Sequence, residues 1–308
     1  MFAAGPSLLL AGPTAVGKSE VALLLAERLG GEIISVDSMQ VYRGLDIGTA
    51  KPSPEERWRV PHHLIDVVEL GESFDAAQFV KRAREAMAEI QARGRLPILC
   101  GGTGLYFKAL LEGLGEAPPA DAVLRAELER APLEALLREL AERDPATFAR
   151  IDRRNPRRVV RALEVIRLTG RPCSEQRAVW NLSAFSHLSS PIFALSRAID
   201  DLRARIDARV DQMFERGLVQ ETQGLWRSGL EQNRTAMQAI GYRQVVEHLR
   251  GERPLAETVA LVKQKTRQFA KRQKTWFRHQ LPVKGIEVGL EESAESVTAR
   301  VMAALPLA

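Results

Sequence analysis

AGPTAVGKSE, residues 11–20, contains Gly12, four further residues and then Gly17-Lys18-Ser19. That spacing defines a phosphate-binding loop. Glycines let backbone N–H groups encircle phosphate oxygens at a helix N-terminus, a lysine neutralises charge, and a hydroxyl can ligate Mg²⁺. The flanks agree with it. Ser7-Leu8-Leu9-Leu10-Ala11 is a short apolar run fit for a buried strand, and Glu20 to Leu29 is apolar at helical spacing. The stretch therefore predicts strand, loop and helix. Its phosphate cradle is Gly12, Pro13, Thr14, Ala15, Val16, Gly17, Lys18 and Ser19, with Ser19 as the Mg²⁺ ligand. The motif does not name the owner of the phosphates.

Downstream, Gly30-Gly31 stops the helix and Glu32 to Val36 reads as a second buried strand ending at Asp37. Ser73 is placed to cap a long helix that runs to about Arg93 and is stopped by Gly94. Leu96 to Cys100 then predicts a third strand, followed by the turn Gly101-Gly102-Thr103-Gly104 and another helix. Strands alternating with helices predict an α/β fold, a P-loop NTPase-like, mainly parallel sheet with helices on both faces. The pattern breaks around residues 115–119. From about Ala120 to Ser186 it is helical throughout, interrupted at Pro132, Pro145, Pro156 and Pro172, and Pro191 to Leu195 returns to the sheet before further helices. The expected organisation is a core of residues 1–118 and 189–308 with an all-helical insertion at 119–188.

With 45% hydrophobic and 27% charged residues over 308, the chain reads as globular, and no run approaches the roughly 18 apolar residues of a membrane span. MFAAGPSLLLAG lacks a basic n-region and runs into the phosphate loop, so it predicts a first strand and not a secretory signal. The two cysteines, Cys100 and Cys173, are far apart, which suits a reducing cytoplasm. The net charge of +5 is unevenly placed. Arg150 to Arg177 carries nine basic residues against three acidic ones, and Thr258 to Ile286 carries eight basic and no acidic residues. Those segments hold +14 together, leaving −9 elsewhere, a distribution that points to a large polyanionic partner as well as to solvated helix faces.

Asp37 closes a strand and so emerges at the carboxyl edge of the sheet, where α/β ligands bind. It can be a Walker-B-like Mg²⁺ ligand, a general base facing an acceptor, or a turn-capping residue before Ser38. Guanine specificity is disfavoured, because no Asn-Lys-x-Asp occurs. His62-His63 with Asp66 lacks further ligands at metal-site spacing.

SVDSMQVYRGLDIGTAKP, residues 35–52, resembles the signature of the tRNA dimethylallyltransferases, also called isopentenyltransferases. PHHLID at 61–66, GGTGLYFKALLEGL at 101–114, NPRRVVRALEV at 155–165 and IGYRQ at 240–244 match in order, so the resemblance spans nearly the whole chain. It implies that the loop holds the diphosphate of dimethylallyl diphosphate, with Thr14, Gly17, Lys18 and Ser19 lining it and Mg²⁺ assisting. By the same resemblance Asp37 is the general base toward the exocyclic amine of an adenosine beside the anticodon, and Arg209 and Thr14 share the catalytic work. It also implies tRNA contacts from Ser38, Met39, Gln40, Thr103 and Arg125, and from Gln238, Ala239, Ile240, Gly241, Tyr242 and Arg243. The implied protein is a cytoplasmic monomer.

The chemistry makes physical sense without the resemblance. An adenine amine is a poor nucleophile and needs a base and an electrophile held in line, and the departing diphosphate needs cations and amides around it. In residues 202–218, Ile206, Val210 and Met213 form an apolar stripe with Arg205 and Arg209 on a neighbouring face, a pattern that alone reads as a solvated helix face and that the resemblance makes catalytic at Arg209. Arg157, Arg158 and Arg161 follow the helix start Asn155-Pro156, where Val159, Val160, Leu163 and Ile166 supply the buried side and leave the arginines for phosphates. Lys263, Arg267, Lys271, Lys274 and Arg278 share one helical stripe, with Lys271 and Lys274 as phosphate contacts and Val262, Phe269 and Trp276 turned inward. The rivals are an adenylate isopentenyltransferase, a small-molecule kinase with Asp37 activating a hydroxyl, and a non-catalytic RNA-binding module.

Overall fold

Leu8–Ala11 forms β1, and its residues are buried from end to end, as an apolar run without alternation requires of a parallel strand covered on both faces. The computed structural model describes residues 6–176 and 191–305. After β1 come α1 (Lys18–Leu29), β2 (Gly31–Val36), α2 (Pro54–Arg59), β3 (His62–His63), α3 (Ala76–Ala92), β4 (Leu96–Gly101) and α4 (Gly104–Glu112). There follow α5 (Ala122–Arg130), α6 (Leu133–Arg143), α7 (Pro145–Arg150), α8 (Pro156–Thr169) and α9 (Cys173–Gln176). The chain returns with β5 (Ile192–Ser196), α10 (Ile199–Glu215), α11 (Leu218–Arg227), α12 (Tyr242–Leu249), α13 (Leu255–Gln280), β6 (Lys284–Glu287) and α14 (Ala294–Ala303).

Among the described residues the strands form one sheet in the order β3-β2-β4-β1-β5-β6, and every pairing is parallel. The loops leaving β2, β4, β1 and β5 therefore open side by side on one edge, the edge where open α/β sheets bind ligands. Leu8, Leu10, Phe193 and Leu195 of the sheet share a core with Val21 and Leu25 of α1, Ile206 and Val210 of α10, and Val297 and Val301 of α14. Each such side chain contributes about 1.5–3 kcal/mol on burial.

Three local expectations change. His62-His63 pairs with β2 as an edge strand, and Lys284–Glu287 pairs with β5; both are too short, and β6 too exposed, to carry a hydrophobic period. The cap of α3 is Asp75 and not Ser73. Its carboxylate accepts from the N–H groups of Ala77 and Gln78, and Gln78 returns a bond to the Asp75 N–H.

The chain divides into two compact units, Met1–Leu110 with Leu182–Ala308, and Leu111–Asn181. In the second unit the prolines start helices instead of breaking them. Pro132 caps α6, Pro145 and Pro156 open α7 and α8, and Pro172 precedes α9. Leu128, Leu136, Leu140, Val159, Leu163 and Ile166 form its core. The expected insertion at 119–188 extends past residue 176, and residues 177–188, Arg177 among them, lie outside the described residues.

Candidate functional site

Leaving β1, the chain takes left-handed backbone at Gly12 (φ 149°), Ala15 (φ 63°) and Gly17 (φ 106°). Alternation of this kind turns successive amides toward one concavity, a nest for anions. Gly12 is also required for space, since a Cβ there would lie 2.8 Å from the carbonyl oxygen of Leu195. Ala15 pays a conformational cost of about 1–2 kcal/mol, so something must hold it. Side chains brace the loop on several sides. Arg205 donates to Ala15 O at 3.0 Å, Arg197 to Val16 O at 3.0 Å and Lys18 to Pro13 O at 2.6 Å, while Gln273 accepts from the Thr14 N–H at 2.9 Å.

Burial lowers the Lys18 ammonium from the ordinary 10.5 to about 8, with Arg209 adding to the shift and Cys100 and Asp37 opposing it. Arg209 is likewise pushed down by burial, against the attraction of Asp37 and with the repulsion of Arg205. Two cations are thus held desolvated beside a carboxylate, a configuration that a polyphosphate would relieve. Burial also raises the neighbouring Cys100 thiol to about 11, which keeps it un-ionised and inert.

Asp37 follows β2. Its Oδ1 accepts from the N–H groups of Met39 at 2.8 Å and Gln40 at 3.3 Å, so it caps its own turn. Thr103, at the end of β4, accepts from the Ser38 N–H at 3.3 Å through Oγ1. These strand ends open on a cavity of about 360 Å³. Its polar lining includes Thr14, Asp37, Ser38, Thr103, Arg209, Thr266 and Arg272, and its apolar lining Val210, Met213, Ile240, Val262 and Phe269. Met39, Gln238 and Ala239 reach it too.

Several expected residues do other work. Gln40 is occupied within its loop, accepting from Ser35 Oγ at 2.8 Å and donating to the carbonyls of Thr49 and Ala50 at 3.2 Å each. The side chain of Tyr242 is fully buried, which removes it from any RNA-facing surface. Its hydroxyl donates to Glu221 at 2.6 Å and accepts from the Gly48 N–H at 3.0 Å, and its ring fills the space that a Cβ on Gly48 would occupy. Gly241 is buried at the entry to α12, whereas Arg243 is exposed and donates to Glu247 at 3.1 Å.

In the second unit Arg157 and Arg158 are exposed. Arg161 does not stand free as expected. Together with Arg125 it clamps the fully buried carboxylate of Glu164, at 2.6 and 2.7 Å, and it also donates to Pro118 O. A buried carboxylate without such partners would cost several kcal/mol, so both arginines have a structural duty.

On α13 the buried arc runs through Val262, Ala270, Gln273 and Phe277. Its centre is displaced from the expected face, which leaves Phe269 at the edge, exposed and lining the cavity. Trp276 packs over Gly104. Lys271 and Lys274 are exposed, while Lys263 and Arg267 pair with Asp211 and Asp207 of α10. The histidine pair is structural: His63 meets Glu32 at 2.7 Å and His62 meets the Val60 carbonyl at 2.8 Å.

Arg197 and Gln273 escaped the sequence reading. Arg197 follows β5, a strand whose neighbour β1 carries the phosphate loop, and a basic residue at that strand end is the signal that could have found it. Gln273 carries no such signal within its basic surroundings.

A left-handed phosphate nest, a strand-end carboxylate and desolvated cations around one half-apolar cavity define a P-loop-type protein that handles a phosphorylated ligand beside an acceptor. The chain belongs to the IPP transferase family, whose profile matches residues 40–280. It is 51% identical over 275 residues to tRNA dimethylallyltransferase 1 of Trichlorobacter lovleyi, covering 88% of this chain and 90% of that one. Against the tRNA dimethylallyltransferase of Geobacter metallireducens it is 48% identical over 288 residues, covering 91% and 92%. Among solved structures it is similar to the full-length tRNA isopentenylpyrophosphate transferase of Bacillus halodurans, with a TM-score of 0.70, 40% identity and coverage of 97% and 96%. It is also similar to a eukaryotic dimethylallyltransferase acting on tRNA, with a TM-score of 0.79, 26% identity and coverage of 98% and 80%. The profile begins beyond the phosphate loop and Asp37, so the roles of those residues rest on the geometry above.

Proposed function

We propose that the protein transfers the dimethylallyl group of dimethylallyl diphosphate to the exocyclic amine of the adenosine 3′-adjacent to the anticodon in tRNA, releasing diphosphate. The observation that carries this reading is that Thr14 of the phosphate loop, Asp37 and Arg209 line one cavity together with apolar Val210, Met213, Ile240, Val262 and Phe269. The donor's diphosphate lies on the nest, and its five-carbon group packs among the apolar lining residues. The amine nitrogen bonds the allylic carbon as the carbon–oxygen bond to diphosphate breaks, and the amine proton passes to the Asp37 carboxylate. Arg209 and Lys18 meet the charge that grows on the leaving group.

Mg²⁺ is part of the proposal. Among the described residues no group of three or more His, Cys, Asp or Glu could hold a metal, so the donor set fits an ion held by the exposed Ser19 hydroxyl, the ligand's phosphates and water. When bound it supplies charge neutralisation at the diphosphate.

The adenosine reaches Asp37 by leaving its stack, which costs little in a single-stranded loop. Ser38, Met39, Thr103, Gln238, Ala239 and Ile240 lie around that entry. The exposed Arg157, Arg158, Arg243, Lys271 and Lys274 serve tRNA phosphates, and Arg125 and Arg161 add their charge while they hold Glu164. No helix among the described residues is long and apolar enough to cross a membrane, and we place the protein in the cytoplasm as a monomer.

The test is incubation with labelled dimethylallyl diphosphate and total tRNA, followed by nucleoside analysis. Label on adenosine from tRNA is expected. Label on free AMP alone would assign the protein to the adenylate enzymes, and ADP release from ATP without label transfer would make it a kinase.

A further inference from the structure

Thr14 and Asp37 stand on different strand ends, and one side chain spans the gap between their loops. Gln273 of α13, only 7% exposed, accepts from the Thr14 N–H at 2.9 Å through Oε1 and donates from Nε2 to the Gly102 carbonyl at 2.9 Å. The amide fits only this way round, because Thr14 presents a donor and Gly102 an acceptor. From Gly102 the connection continues to Asp37. The next residue, Thr103, accepts from the Ser38 N–H at 3.3 Å, and Ser38 follows Asp37, which caps the same turn. The contact is close: a Cβ on Gly102 would fall 2.2 Å from Nε2. Gln273 itself is not among the residues lining the cavity.

We infer that Gln273 is a positioning residue that sets the separation between the loop carrying the donor's diphosphate and the turn carrying the base. This rests on the proposed function. In a transfer that needs nucleophile, carbon and leaving group in line, a misplacement of about 1 Å can cost roughly 100-fold in rate. Donor binding survives, because the nest and its cations remain on their own braces from Arg197, Arg205 and Lys18.

Gln273→Met keeps length and burial and removes both bonds. At saturating tRNA, and at a temperature where circular dichroism shows the variant folded, kcat should fall by about 10- to 100-fold, with the Michaelis constant for the donor within about threefold. Gly102→Ala leaves the glutamine intact and pushes its amide aside, and it should show the same split. If both act through one amide, the double variant is no slower than the slower single variant. A raised Michaelis constant with unchanged kcat, a loss accounted for by the unfolded fraction, or additive effects in the double variant would overturn the inference. Absence of transfer by the wild-type protein overturns the proposed function and this inference with it, whereas normal wild-type turnover with an unimpaired Gln273→Met overturns the inference alone.

Discussion

Arg197 donates from Nε to the Val16 carbonyl at 3.0 Å while its Nη1 pairs with Asp201 at 2.8 Å and reaches the Gly289 carbonyl at 3.0 Å. The ion pair is buried, with side chains 6% and 9% exposed. One guanidinium therefore ties the phosphate loop to the end of β5 and to the segment after β6. Arg197→Ala leaves Asp201 buried without its partner and should cost about 3–5 kcal/mol, read as a lower urea midpoint at unchanged slope. A loss under 1 kcal/mol would mean that the brace is dispensable.

Asp37→Asn keeps an Oδ1 able to accept from Met39 and so preserves the turn, but it removes the base. Single-turnover rates should drop by roughly 100-fold or more, with tRNA affinity nearly unchanged. Near-normal turnover would refute the general-base role.

Arg209 and Arg205 lie one helical turn apart, yet they separate by kinetics. Arg209 lines the cavity, whereas Arg205 supports the loop backbone at Ala15. Arg209→Ala should lower kcat roughly 100-fold, about 2.7 kcal/mol in the barrier, and Lys at that position should recover part of it. Arg205→Ala should act mainly on the Michaelis constant for the donor. The assignment fails if the two variants exchange these signatures.

The depressed Lys18 makes donor binding sensitive to pH. Its ammonium titrates near 8 in the free protein, and a bound diphosphate raises that value, so binding takes up a proton above this pH and affinity falls as pH rises. Lys18→Arg stays charged throughout and should flatten the profile, as calorimetry in buffers of different ionisation enthalpy can check. The sign for folding is opposite. Between about 8 and the ordinary 10.5 the unfolded chain holds more protons than the folded one, so this residue's contribution to stability improves as pH rises.

Lys271 and Lys274 differ from Lys263 and Arg267, which are engaged with Asp211 and Asp207. Changing the exposed pair to alanine should weaken all tRNA substrates alike and reduce the slope of log K against log salt by about 0.7–0.9 per lost contact. Changing Lys263 and Arg267 should leave that slope nearly intact. Equal slopes for both double variants would make the whole ridge a solvated face.

The phosphate loop is legible because its motif, its strand and its helix are contiguous in the chain, and Asp37 is legible as a strand end; Thr103 and Arg209 come from the family resemblance, since the spacing of Arg205 and Arg209 alone reads as a solvated helix face. The misplacements share one cause. Tyr242 was grouped with its neighbours in IGYRQ, although Tyr242, Val245 and Val246 are spaced as one helix face and are all buried. Arg161 looked available because its partner Glu164 lies on the same helix and is fully buried, a fate that charge patterning does not foretell. Gln273 is 259 residues from Thr14, and no local pattern encodes a contact of that separation.

The position of β1 inside the sheet bears on how the molecule is made. Of the strands in this sheet it is the first to be synthesised, but its neighbours begin at Leu96 and Ile192, and the braces of its loop come from Arg197, Arg205 and Gln273. Long-range parallel pairing of this kind is slow. The phosphate loop is thus synthesised early and completed late, and a nascent chain that stops before α13 carries the whole motif without the amide that links it to Gly102. Until then the unpaired edges of β1 are open to association with other chains.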